Sequence, residues 1–444
     1  QQRGPFKNPP IIIGAGPAGL FCALRLLEYG VPSIIFERGE EAHKRMKYIA
    51  RHWRYGEFDS ENNVCYGEGG AGLFSDGKLI TRVKSPYIKY VMKRLVDFGA
   101  PKEVAYLSNP HLGSNKIRAL ISKITNYLKM NGCKIHYNSQ VGKLIEIDQK
   151  IEGVELIDQK SFYSDHIILA TGHSSFEIYH ELKNKNVKMK PKDFALGVRV
   201  EHFRRDLDKM QYGNFSGHPD LETARYRLSF NDTVTGRGTY SFCMCPGGYV
   251  LSSGTDKYGI VVNGMSNYAR RSPWSNAALV VTVKVNEDCV GEDILKGLSF
   301  QKSIEQKAYE ISLNNASGKE IPAQTIRQFL EGKNSNVERI KNSCPSGIFS
   351  QNLDDFMPSF VTDQLKKALI DFDQKIIGFS TGDGLLFAPE TRTSAPVTIM
   401  RDKKTFESTS HCGLYPCGEG AGYAGGITSA AVDGIKVAES IIKS

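Results

Sequence analysis

The apolar run Ile11-Ile12-Ile13 leads directly into Gly14-Ala15-Gly16-Pro17-Ala18-Gly19, and Glu37-Arg38 stand about twenty positions further on. This order leaves little freedom of fold. It predicts a strand, a glycine turn, a helix over 20–28 and a second strand over 31–36 that ends on a carboxylate. Gly14 permits the tight turn, Gly16 lets a pyrophosphate approach the backbone, and Gly19 lets the helix pack close to the sheet. The helix N-terminus offers N–H groups and positive dipole to phosphates. Glu37 stands where an acid accepts hydrogen bonds from an adenosine ribose. Taken alone, the unit admits NAD, NADP or FAD.

A chain of 444 residues should build two or three lobes around more than one core. No run is apolar enough to span a bilayer, and no signal peptide is apparent, so a cytoplasmic protein is expected. The first ten residues lack an initiator Met, as a trimmed or processed chain would. Nine scattered cysteines read as reduced thiols and not as a disulfide framework, and no CxxC pair with histidines suggests a metal. The net charge of +9 is spread along the chain without a basic stripe interleaved with aromatics, so nucleic acid is not an expected partner.

Beyond the first unit, helices are expected over 40–53, 89–98 and 116–130, with a glycine-dense loop over 61–83. A short strand over 133–137 precedes Asn138-Ser139-Gln140-Val141, a meander over 142–157 follows, and 166–170 reads as a buried parallel strand. From residue 194 the alternation changes to that of an antiparallel sheet, with strands near 195–200, 226–230, 240–244, 249–252 and 259–263. Helices over 294–312 and 360–372 lead to a C-terminal block of α/β character, with a terminal helix over 429–442. The expected fold is therefore α/β. Residues 1–193 and 376–444 form a discontinuous Rossmann-like domain, and 194–375 form an inserted, largely antiparallel β (α+β) substrate domain.

Two further glycine blocks carry chemistry. Gly418-Glu419-Gly420-Ala421-Gly422-Tyr423-Ala424-Gly425-Gly426-Ile427 opens the terminal helix, where N–H groups suit the electron-rich edge of a reduced flavin. Gly67 to Leu79 supplies amides, the Ser75 hydroxyl and Lys78 to cover a pyrophosphate or ring. A second strand–glycine–helix–acid unit for NAD(P) is missing, which favours FAD. Cys243-Met244-Cys245 places two thiols on one face of a strand, more ordinary as core packing than as a redox pair.

These stretches carry a resemblance. GAGPAGLF (14–21), YGEGGAGLFSDGKL (66–79), ATGHS (170–174), SFCMCPGGYV (241–250), PETRTSAPV (389–397) and GLYPCGEGAGYAGGITSAAVDGI (413–435) resemble the FAD-dependent dehydrogenases of bacteria and plastids, in the glutathione-reductase-type flavoprotein superfamily. The resemblance spans residues 9–443 and implies non-covalent FAD with no settled substrate. Two departures stand out: the N-terminal segment typical of the family is nearly absent, and Cys417 replaces a small residue, commonly Ala.

The expected cofactor shell joins Gly14, Gly16, Pro17, Ala18, Gly19, Glu37 and Arg38 with Gly69, Gly70, Ser75 and Lys78 of the loop. Val141, Ala170, Thr171 and Gly172 follow from strand ends, and Gly418, Glu419, Gly420, Ala421, Gly425, Gly426 and Ile427 from the last turn. Arg392 is the first candidate for substrate chemistry, as an orienter of a carboxylate or stabiliser of an enolate-like transition state. His202 and Tyr423 are the other candidates. The expected activity is an oxidoreductase using hydride transfer at flavin N5 on a small or medium, possibly anionic, organic substrate, with NAD(P)H a candidate external reductant. An O2-using oxidase or monooxygenase, a flavin-dependent RNA-modifying protein and a non-turnover redox sensor are the alternatives.

Overall fold

Ile11, Ile12 and Ile13 are buried on both faces, as a central strand of a parallel sheet must be. In the computed structural model, which describes residues 6–107, 109–334, 336–380 and 383–443, this strand lies third of five. The order is Leu414–Pro416, Ile167–Leu169, Ile11–Ile13, Ile34–Phe36 and Lys134–His136, all parallel. One edge strand thus comes from the far end of the chain.

The helix Pro17–Glu28 starts with proline at its first position, where the missing N–H costs nothing. It packs along the terminal helix Ile427–Lys443 so closely that a Cβ on Gly434 would stand 2.1 Å from the Ala18 carbonyl oxygen. Arg25 and Glu439 tie the pair at 2.5 Å. The helices Ala42–Tyr55, Tyr87–Asp97 and Gly113–Met130 fall within a few residues of expectation. The meander gains a third strand: Val141–Ile147, Lys150–Leu156 and Ser161–Tyr163. Asp148 and Gln149 make its first turn with φ of 50° and 62°, the two-residue hairpin geometry that matches strand twist.

The second sheet has seven strands in the order Ser229–Asp232, Arg237–Cys245, Trp274–Val283, Phe194–Phe203, Leu385–Glu390, Ile321–Thr325 and Ile348–Ser350. Every neighbour pair is antiparallel except the last. The helix Ser359–Lys375 packs against it, and the helix Lys296–Asn315 lies by its Ile321–Thr325 and Leu385–Glu390 strands. Trp274–Val283 is buried on both faces, so its sequence lacks the alternation by which a strand is recognised. Leu385–Glu390 differs from expectation in another way. It pairs with Phe194–Phe203, so this sheet runs on past residue 375 to Glu390. Among the described residues, no helix is long and apolar enough to cross a membrane.

Candidate functional site

A cavity of about 400 Å³ is lined by residues of both sheets, a size and position usual for small-molecule sites. Ile13, Phe36, Ala170 and Cys417 bring it against the C-terminal ends of four parallel strands, the end at which open α/β sheets bind ligands. Both glycine-opened helices, Pro17–Glu28 and Ile427–Lys443, direct their N-termini into it, through Gly16 and Pro17 and through Gly425, Gly426 and Ile427.

The glycines on this wall divide into two kinds. At Gly16, Gly172, Gly425 and Gly426 a Cβ would meet nothing within 4 Å. These four line the cavity, so side chains would project into the space that a dinucleotide needs. Gly14 is different: with φ of 106° its Cβ would stand 2.4 Å from the Ala170 carbonyl oxygen. That close approach brings Ala170 and Thr171 to the cavity beside Ala18. An open backbone cradle flanked by two helix N-termini fits FAD.

Glu37 lines the same end and is 5% exposed. Its carboxylate accepts backbone N–H bonds from Ala15 (2.9 Å), Gly39 (3.0 Å) and Gly67 (2.9 Å). One side chain therefore fixes the first glycine turn, its own loop and the start of the covering loop. A carboxylate offers about four lone-pair sites, which leaves capacity for a ribose hydroxyl. Arg38 pairs with Glu61 at 2.6 Å and lies 4.0 Å over the Tyr66 ring, so its charge is already matched. Val141 completes this end beside Ser139 and Gln140.

The covering loop is held by a residue that the sequence did not single out. Arg45, fully buried, donates to the carbonyls of Asn63, Val64, Gly67, Glu68 and Gly70 at 2.8–3.4 Å. Burial pushes its guanidinium down to about 10, with the Glu37 carboxylate opposing. Gly70 lines the cavity, and so does Ser75, whose hydroxyl donates to the Gly72 carbonyl at 2.8 Å. Lys78 is hydrogen-bonded to the Met244 carbonyl and lies 3.2 Å from Asp76. Asp76 is also paired with Arg270 at 2.6 Å, and these cations hold its carboxyl below the usual range against the effect of burial.

Arg392 reaches the cavity, yet it is already engaged. Its Nε and Nη2 donate to Glu305 at 2.9 and 2.6 Å, Nη1 bonds Thr255, and the guanidinium lies over the Phe176 ring. Next to it, Glu390 is bound by Arg199 at 2.7 and 2.6 Å. The remaining Arg199 donors reach Asn276, Asn263 and the Cys243 carbonyl, so all five of its N–H groups are used. This wall is built of charges that cancel in pairs. Glu419 is the exception. Its carboxyl lies 3.6 Å from His173 Nδ1; burial pushes the acid up to about 7 and the imidazole down to about 4. Between those values the two are a neutral acid beside a neutral base.

Several expected residues stay off the cavity. His202 is 3% exposed and its Nε2 meets the Phe379 carbonyl at 2.8 Å, inside the core of the seven-stranded sheet. Tyr423 donates to the Ile399 carbonyl, and Arg401 covers its ring at 3.7 Å. Neither is placed for substrate chemistry, because the packing of each side chain commits it elsewhere. Gly19, Gly69, Gly418 and Gly420 serve packing instead: a Cβ on Gly19 would stand 2.1 Å from Gly14 O, one on Gly69 1.9 Å from Leu73, one on Gly418 2.8 Å from Ala18 and one on Gly420 2.3 Å from Gly172 O. Ala421 is buried, and its carbonyl accepts from Ile399 N at 3.1 Å. Phe242, Asn263 and Glu390 line the cavity without having been anticipated. Phe242 and Glu390 sit in the motifs SFCMCPGGYV and PETRTSAPV, whose unusual composition was the available signal.

A family match supports the assignment of FAD. Residues 193–393 match the family model described as "FAD-dependent protein, C-terminal domain-like". An uncharacterized protein of Clostridium beijerinckii is 42% identical over 439 residues, covering 99% of this chain and 81% of that protein. Among solved structures, CtdE in complex with FAD aligns over 99% of this chain and 84% of that chain at 12% identity and TM-score 0.35. The halogenase PltM in complex with phloroglucinol and FAD aligns over 98% and 68% at 10% identity and TM-score 0.42.

Proposed function

This chain belongs to the same family as its Clostridium beijerinckii relative and carries an FAD-dependent domain over residues 193–393, and from that premise we propose that it is an FAD-dependent oxidoreductase of the dehydrogenase or reductase type. One observation supports this most: a single cavity runs from Gly16 and Glu37 on the parallel-sheet side to Cys243, Asn263 and Arg392 on the side of the seven-stranded sheet. Residues 1–193 and the C-terminal segment would form the cofactor half. Residues 194–375 with the strand Leu385–Glu390 would form the substrate half. Bound FAD supplies two-electron chemistry, read here as hydride transfer at N5.

The chain's own residues define the rest. Gly16, Gly172, Gly425 and Gly426 clear the backbone for the cofactor, and Glu37 holds the loops around it. Glu419 keeps a proton on its carboxyl up to about pH 7 and is the group on this wall suited to giving or taking one. Arg392 acts as a positioning residue, since Glu305 neutralises it. A wall of paired charges favours a substrate that is uncharged at its reacting end over the anion first expected. Anaerobic mixing of the flavin-loaded protein with NADH, NADPH and a library of neutral alcohols, amines and carbonyl compounds tests the reading. Loss of the oxidised flavin's visible absorption with one of them is the expected result, and no reduction by any reagent, dithionite included, would refute it.

A further inference from the structure

Cys243 and Cys245 both line the cavity, and so does Phe242. On an unbroken strand Phe242 would face away from the two cysteines. The register explains the exception. Phe242 pairs with Ala278 and Cys245 with Asn276, so two residues of one strand oppose a single residue of the other. Such bulges re-aim side chains and recur beside active sites. Here the bulge holds Cys243 at φ of 44°, in the left-handed region that a non-glycine residue rarely adopts. Backbone strain of this kind clusters where it serves a function.

Three contacts surround the thiols. The Lys78 ammonium is hydrogen-bonded to the carbonyl of Met244, the residue between them. At Gly248 a Cβ would stand 2.4 Å from the Met265 carbonyl oxygen and 2.9 Å from the Cys245 Cβ, so the backbone passes close to Cys245. The Cys245 thiol meets the Cys243 carbonyl at 3.4 Å, which keeps the two residues folded towards each other.

We propose that Cys243 and Cys245 form a cavity-wall dithiol that exchanges two electrons with bound FAD and closes to a disulfide. The proposal rests on the flavoprotein reading above. Two S–H bonds break and one S–S bond forms. The two electrons pass to the flavin, which is reduced as the thiols are oxidised, and the two protons pass to the flavin and solvent. The reverse step opens the disulfide with electrons from reduced flavin. Desolvation pushes the Cys243 thiol up to about 12 and raises that of the buried Cys245, and Lys78 is the leading charge that opposes both shifts. The pair therefore rests as protonated thiols, and Lys78 stabilises the thiolate through which exchange proceeds.

Anaerobic dithionite titration of the FAD-loaded, air-oxidised protein provides the test, with thiol alkylation and mass analysis of the same samples. The wild type should take up two electron pairs per flavin, whereas Cys243→Ser and Cys245→Ser should each take up one. Before reduction, tryptic peptide 238–257, which contains both cysteines, should be two hydrogens lighter and resist alkylation. After reduction it should accept two labels. A single electron pair in the wild type, with both cysteines labelled from the start, would overturn the proposal and leave the flavoprotein reading standing. A bridge through Cys65 or Cys417 would also overturn it. A flavin that takes up no electrons would overturn both. The peptide measurement uses wild-type protein, so a variant that misfolds does not decide the outcome.

Discussion

At Gly16 the missing Cβ leaves open space within the cavity, whereas three residues later, at Gly19, a Cβ would collide with the Gly14 carbonyl oxygen. The two glycines should therefore separate by measurement. Gly16→Val, at φ of −80°, should leave the melting temperature of the apoprotein unchanged and weaken FAD binding by on the order of tenfold or more. Gly19→Ala should lower apoprotein stability by about 1–3 kcal/mol, the usual range for overpacking. Equal stabilities would contradict this division of labour. Arg392 invites a similar contrast. Arg392→Met leaves Glu305 buried at 1% side-chain exposure without its partner, a loss of roughly 3–5 kcal/mol. Adding Glu305→Leu should recover much of that in urea titrations. If the single variant is as stable as wild type and only turnover falls, Arg392 acts on substrate directly.

Among the elements, the segment over 61–76 has almost no regular secondary structure, and one guanidinium takes over its backbone bonding. Lysine has three donors and no fork, so Arg45→Lys should free at least two of the five carbonyls. Hydrogen exchange across 61–74 should speed up and FAD should dissociate faster; unchanged protection would show that the loop holds itself. How far elements were legible follows the range of the forces that make them. Ile11–Ile13 and its glycine turn are set by neighbours in sequence and read correctly, and the helix expected over 20–28 is present but begins three residues earlier, at Pro17. The terminal helix started two residues early because Gly425 and Gly426 mask its first turn. Trp274–Val283 escaped notice because burial on both faces erases its period, and Leu385–Glu390 was given to the wrong segment because local pattern does not name a strand's partner. In the site, cavity glycines were visible as a composition, while Glu305 lies 87 positions from Arg392 and nothing local announces the pair.

For the molecule as a whole, the cavity is a shared surface of two sheets with separate cores. Cofactor binding should therefore stabilise both at once. At free FAD a thousandfold above its dissociation constant the gain is ~4 kcal/mol, and calorimetry should show a transition that climbs with FAD concentration. Two transitions, of which one alone climbs with FAD, would mean that the cofactor rests on one sheet.

The edge strand Leu414–Pro416 and the helix Ile427–Lys443 also set a schedule for synthesis. The first glycine turn leaves the ribosome hundreds of residues before Thr428, whose hydroxyl bonds the Leu79 carbonyl, and Glu439, which clasps Arg25. A polypeptide released before residue 414 would carry the nucleotide motif intact and still lack the wall that closes around the ligand. Flavin capture is thus expected only once translation has passed the helix Ile427–Lys443.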